Sequence, residues 1–261
     1  NHPVKIDIAG TVESIAKIDD KLLYECYNTF YNPANMYVCI AGNVDTKKVL
    51  AQIEKGIKPT EMVKISRADF GEREQVLSHY VEQELAVAKP MFILGYKEVF
   101  EKEGPTVKER IVAGLMLELL CGDCSALYRR LVDSRLIGDE FSAEYFQGNG
   151  YSAFLIDGEC DKPERVAEEI KKEICRLKAE GIDGELLSAI KRSAYGDAVK
   201  RFDSIEGIVT DMIDCAISGG DLFDTVDILK EITADDIQNR LHSLKDELSV
   251  LSVVKPGKGR K

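Results

Sequence analysis

The sequence predicts an α+β fold, and three observations point there. Short apolar, β-branched runs alternate with longer stretches of helical periodicity, and the two kinds segregate into blocks, which favours packed layers over a helical bundle or a sandwich. Breaks rich in Gly, Pro and Asn separate the runs. One strand–turn–helix pattern occurs twice, in "MYVCIAGNVDTKKVLAQIEKGI" and "YSAFLIDGECDKPERVAEEIKKEI". In both, an apolar strand ends in Gly-x-x-Asp, and a helix carrying Val and two Ile at four-residue steps follows. Any strand–turn–helix unit shares part of this pattern. The common Gly-x-x-Asp spacing and the three matched anchors favour duplication.

The elements follow in order. "ESIAKIDDKLLYECYNTFY" predicts a helix, with Ile15, Ile18, Leu22, Cys26 and Phe30 on one stripe. Pro33 ends it. "MYVCIAG", residues 36–42, reads as a buried strand, and Asp45 is placed to cap the next helix, which carries Val49, Ile53 and Ile57. Residues 59–75 have no convincing period and many charges, and read as a linker between a first block, 1–58, and a second, 76–261. The second block opens with strands "VLSHYVEQ" and "PMFILGYK". A helix after Gly104-Pro105-Thr106 is apolar nearly all round from Ile111 to Leu120, which predicts burial on more than one side. A break and a further helix lie in "CGDCSALYRRLVDSRLIG". Strands "EFSAEYFQ" and "YSAFLIDG" turn at "GNG". Helices are expected at 162–180, 183–201 and 204–217, then one capped at Thr233, and "ELSVLSVV" closes as a strand.

Bulk properties exclude some function classes. A net charge of −11 repels a phosphate backbone, so no nucleic-acid partner is expected, and the basic tail "KPGKGRK" reads as a solvated terminus. No apolar run reaches the roughly 18 residues of a membrane helix; "IVAGLMLELLC" is short and carries Glu118, so no membrane partner is expected. No signal peptide is visible, and the chain does not begin with Met. The seven cysteines are scattered, most of them in apolar stretches, as expected of reduced, buried thiols in a cytoplasmic protein.

Candidate chemistry is sparse. Zinc hydrolysis needs converging ligands, usually two His one helical turn apart. The three histidines, His2, His79 and His242, are far apart, and both His79 and His242 read as surface or satisfied side chains. Cys121-Gly-Asp-Cys124 lacks a second pair for structural zinc and follows a helix rather than opening one, so it reads as two buried thiols at a helical corner. No nucleophile elbow or P-loop is present, and the carboxylates of "EGIDGE" and "ADD" suit helix starts. From the residues alone, no catalytic, cofactor-binding or metal-binding residue is assigned.

Motif order carries more. His2-Pro3 with Gly10-Thr11 and Ile15, then Tyr31, Pro33, Asn35 and Met36, then Gly42-Asn43 and Asp45, resembles the inverted zinc peptidases of the pitrilysin, insulysin and mitochondrial-processing-peptidase family. "CGDCSALYRRLVDSRLIGDEFSAEY" resembles that family's Gly-x-x-Ser-x-Leu-(Tyr/Phe)-x-x-Leu segment. The resemblance spans nearly the whole chain. It implies repeated two-layer α+β domains, each a largely antiparallel or mixed sheet with helices on one face. It implies that residues 1–58 are the C-terminal part of a truncated zinc-type first domain and 76–261 a complete non-catalytic second domain. The zinc of the parent protein, with its His-x-x-Glu-His motif and Glu base, would then lie upstream of Asn1, and this chain alone would be inactive. The implied activity of the parent is zinc-dependent hydrolysis of unstructured peptides in the cytoplasm, with substrate added as a strand to a sheet edge inside a chamber. The implied partners are the upstream zinc-bearing segment, a second half, which is another copy, a different subunit or a C-terminal extension, and the peptide substrate. An Arg and a Tyr seven residues on, which hold substrate in one half of such enzymes, fall here on Val132 and Asp139, so that role is not transferred. A non-catalytic scaffold or partner subunit of the same fold is the alternative, and a self-standing binding module is a third reading.

Overall fold

Where the sequence alternates most clearly, the chain forms a sheet. The computed structural model describes residues 1–58, 60–61, 64–66, 68, 70–98, 104–138 and 140–257. Asp139 and most of the basic tail therefore lie outside the described residues, as does part of the expected linker. The chain divides into two compact units, Asn1–Glu72 with Lys200–Leu222, and Arg73–Val199 with Phe223–Lys261.

The second unit holds one five-stranded sheet: β1 (Tyr80–Leu85), β2 (Met91–Lys97), β3 (Phe141–Gly148), β4 (Tyr151–Glu159) and β5 (Ser249–Pro256), in the order β1-β5-β2-β4-β3. β1 runs parallel to β5, and the other pairs are antiparallel, so the sheet is mixed. Phe92, Leu94 and Tyr96 of β2 and Phe154 and Ile156 of β4 are buried, while their alternate neighbours Met91 and Ile93 are exposed. That period of two means one face is covered by helices and the other is open.

The covering layer is built on α4 (Val107–Cys121), which carries eight buried side chains and packs on β3 and on its neighbouring helices. A capping box between Thr106 and Glu109 starts it, satisfying two of the N–H groups a helix leaves free. α5 (Ala126–Asp133), α6 (Pro163–Glu180), α7 (Gly184–Arg201), α9 (Asp224–Glu231) and α10 (Ala234–His242) complete the layer, with a second capping box at Thr233 and Asp236. By length and composition the stretch Val107–Asp133 is apolar enough to cross a membrane, contrary to the expectation that no run is. Its apolarity has a local cause: Met116, Leu120, Leu127 and Leu131 fill the core under the sheet, and the helix breaks at Gly122.

The first unit contains α1 (Val12–Ile15), α2 (Asp20–Phe30), α3 (Thr46–Gly56) and α8 (Ile205–Ser218). The predicted single helix over 13–31 is two, because Asp19 caps a new start by accepting from Leu22 N. Asp45 caps α3 as expected, accepting from Lys47 N and Lys48 N. The buried strand expected at 36–42 does not form: Tyr37 and Val38 are 63% and 58% exposed, and no strand occurs among the described residues of this unit. An apolar, β-branched run becomes a strand only beside a partner that pairs its N–H and C=O groups, and among the described residues none lies there. None of the described residues of this unit is buried. The internal echo is correspondingly partial. The second copy has one residue more between its Asp and its Val, and there the helix starts past Asp161, at Lys162, with Pro163 first in α6 and no side-chain cap.

Candidate functional site

The residues that resemble a peptidase motif turn out to shape a corner. Gly122 ends α4, Ser125 caps α5 by accepting from Tyr128 N at 3.0 Å, and Leu127 and Leu131 are core side chains. A Cβ on Gly122 would sit 2.5 Å from the Glu118 carbonyl oxygen, so only glycine passes there. The segment therefore sets the angle between two helices. Val132, at the position of the family's Arg, lies near the end of α5 and is 43% exposed.

The histidines stay separate and have ordinary partners. His2 Nδ1 accepts from Val4 N at 3.1 Å, His79 Nδ1 lies 3.0 Å from the Ser249 carbonyl, and His242 Nε2 lies 3.4 Å from Gln238. Among the described residues no three His, Cys, Asp or Glu side chains converge as metal ligands. This donor set does not fit a zinc ion. Of the Cys-x-x-Cys pair, Cys121 is buried and Cys124 exposed, so the expectation of two buried thiols is half met. Burial pushes the Cys121 thiol up, which suppresses the thiolate that redox or metal chemistry requires. The wider expectation of buried cysteines also fails: Cys26, Cys124 and Cys175 are exposed, and only Cys121 and Cys160 are buried.

Two buried carboxylates escaped the sequence reading. Glu98 follows β2 and receives Arg240 Nη1 at 2.6 Å and Nη2 at 2.9 Å, together with the hydroxyls of Tyr145 and Ser152, each at 2.6 Å. The guanidinium lies over the Tyr145 and Phe154 rings, 5.1 and 4.9 Å from their centroids. Burial and the hydrogen bond to Glu98 push the Tyr145 phenol up to about 12. Glu173 of α6 receives Arg130 at 2.6 Å and Arg176 at 2.7 Å. Burial raises its carboxyl, but the two guanidinium groups outweigh that and hold it below the usual range. Both carboxylates had a sequence signal. Glu98 continues the buried parity of Phe92, Leu94 and Tyr96, and Glu173 stands on the α6 stripe between Ile170 and Leu177. Each is saturated with donors, so neither can act as a base toward a substrate; they tie α10 to the sheet and α5 to α6.

Among the described residues no strand pairs with the outer edges of β1 and β3, and such edges take up extended chains by hydrogen bonding.

Comparisons with known proteins point to one family. The profile of the peptidase M16 inactive domain matches residues 17–194. A protein of Bacillus subtilis (strain 168) named as an uncharacterized zinc protease, YmfH, is 35% identical over 260 residues, which cover 97% of this chain and 60% of that protein. The crystal structure of an M16-like peptidase from Alicyclobacillus acidocaldarius superposes with a TM-score of 0.90 at 29% identity, over 98% of this chain and 63% of the other. A protease from Helicobacter pylori shares the fold, with a TM-score of 0.80 at 20% identity over 95% of this chain and 61% of the other. The chain thus spans about 60% of the length of the relatives it matches.

Proposed function

The chain belongs to the peptidase M16 family, and from that membership we propose that it forms the non-catalytic wall and support of a zinc-dependent peptidase that degrades unstructured peptides. The observation that carries this reading is the contrast between the two units. The second has a complete sheet, a covering helical layer and a continuous core. The first has amphipathic helices and the strand-like run 36–42, yet not one buried side chain among its described residues. Leu22, Leu23, Met36, Val38 and Ile40 are all exposed. So much uncovered apolar surface marks an interaction face. In this reading a zinc-bearing segment covers that face and pairs with residues 36–42 as a neighbouring strand. The metal chemistry belongs to that segment, and this chain's residues hold it in place.

Substrate would enter as an extended strand, and the unpaired edges of the sheet supply the hydrogen-bonding groups for it. A second half would close the chamber against the open sheet face. All seven cysteines are free thiols, which supports a reducing, cytoplasmic setting. The test compares this chain alone with this chain co-expressed with a zinc-bearing M16 segment. The complex is expected to hold zinc and to cleave an unstructured peptide in a chelator-sensitive way, and the chain alone to do neither. Stoichiometric zinc and peptide turnover by the isolated chain would overturn the reading.

A further inference from the structure

β1 stands at the sheet edge and, among the described residues, pairs with β5 alone. Of the five strands only β1 is exposed at every position; β2, β4 and β5 bury alternate side chains, and β3 half-buries them. Val81 and Leu85 are 46% and 48% exposed, so β1 adds little apolar burial. The helical layer reaches β5, where Ser249, Leu251 and Val253 are buried, and does not cover β1. What holds β1 is therefore polar. Leu251 N donates to the His79 carbonyl at 2.9 Å, and Gly257 N to the Leu85 carbonyl at 2.8 Å. By the two-residue period of a strand, His79, Val81, Gln83 and Leu85 turn their backbone groups toward β5. Lys255 Nζ meets Glu82 at 2.7 Å, and the Tyr80 hydroxyl donates to Glu82 and, at 3.2 Å, to Glu164. These side-chain contacts are solvent-exposed, where such pairs contribute little, and a parallel ladder is the weaker kind.

Segments with few buried contacts open locally, at far less cost than global unfolding. We propose that β1 is a displaceable strand: it opens as a unit while β5, β2, β4 and the helices stay folded, and the edge of β5 so freed seats the β1 of a second copy of this chain. The occupant follows from the register. β5 sets Leu251, Val253 and Lys255 beside Tyr80, Glu82 and Glu84 in parallel, and Lys255 takes a carboxylate at the place of Glu82. A second β1 supplies both the register and the carboxylate. The seat is the inner edge that β1 covers, not the outer edge open to an added strand, so it does not rest on the peptidase reading.

The test begins with hydrogen exchange read by mass spectrometry on the full 261-residue chain. Fragments covering Ser78–Val87 are expected to exchange at least about a hundredfold faster than those covering β2 and β4, with little effect of urea below the unfolding transition. Gln83→Pro removes an N–H that faces β5, and it should hold β1 open. It is expected to strip protection from Ser78–Val87 and to leave β2 and β4 protected. Capture is then measured by fluorescence anisotropy with a labelled peptide of the sequence SHYVEQELAV, residues 78–87. The Gln83→Pro chain should bind it at least about tenfold more tightly than the parent, whose own β1 competes at high effective concentration. A scrambled peptide of the same composition should not be captured. Val81→Pro, at another position that faces β5, is the second variant should the first fail to fold. β1 exchanging as slowly as β2, loss of protection in β2 and β4 in both proline variants, or equal binding of the scrambled peptide would overturn the proposal, as would equal capture by parent and variant.

Discussion

Arg240→Met removes the cation from a buried ion pair, and its cost can be worked from the contacts. Glu98 is 7% and Arg240 14% exposed at the side chain, so solvent screens the pair little. Two charge-assisted hydrogen bonds are lost, worth about 1.5–3 kcal/mol each. The guanidinium also leaves the two ring faces, each worth about 0.5–1 kcal/mol. Methionine fills part of the volume and returns some apolar burial. Removing one partner of a buried pair costs about 3–5 kcal/mol, because the other charge stays behind uncompensated, and that range is expected here. The double variant Glu98→Gln, Arg240→Met leaves no buried charge, and Gln can still accept from Tyr145 and Ser152. It should lie within about 2 kcal/mol of the parent. Urea unfolding checks this, followed by far-UV circular dichroism and tyrosine fluorescence, since the chain has ten Tyr and no Trp. The second unit holds every buried residue among those described, so it governs the cooperative transition. A cost below about 1 kcal/mol for Arg240→Met, or strictly additive effects in the cycle, would refute the view that this pair locks α10 to the sheet.

Two glycines of one helix should respond in opposite directions. Gly114→Ala should stabilise by about 0.4–1 kcal/mol, since its Cβ enters open space in a helix interior, whereas Gly122→Ala should destabilise by about 1–3 kcal/mol through the Glu118 carbonyl, both read from urea midpoints. The Asp236 carboxyl is held down to about 2 by Lys108 first and then by the Thr233 cap. Its folded value lies below the unfolded one, so its stabilisation is present above about pH 4 and is lost as pH falls toward 2; Asp236→Asn should flatten that part of the stability–pH curve. A thiol reagent should modify Cys26, Cys124 and Cys175 rapidly in the native chain and leave Cys121 and Cys160 intact until unfolding, as peptide mass mapping would show. In limited proteolysis of the isolated chain, cuts within residues 1–72 should precede any within 104–199, and the reverse order would contradict a first unit that lacks a core.

Local rules made the second unit readable. Thr106 with Glu109 and Thr233 with Asp236 announce helix starts by side-chain chemistry confined to four residues, and both starts occur where the sequence puts them. The period of two in β2 and β4 fixes which side chains face the helices. Two features were not local. α9 was missed because Leu222 and Phe223 follow a glycine pair with no capping side chain, and the helix is held by its packing on α4. α8 was expected as part of the second block, yet it groups with residues 1–72, since periodicity gives a helix its apolar face but not its neighbour.

The run Met36–Gly42 shows where the same rules stop. Its composition is that of a strand, but a strand is a property of two segments, and composition describes one. Helix α4 marks the opposite limit. Its all-round apolarity was readable as burial, but its exposed stripe of Gly114 and Glu118 was not. A glycine and a glutamate on an apolar helix resemble a weak point and a solvated charge, and only the facing walls of α7, α9 and β3 turn them into the floor and rim of a groove. What could not be read there is thus set by the neighbouring elements. The three histidines, distant in sequence, lack the local spacing that a zinc site needs.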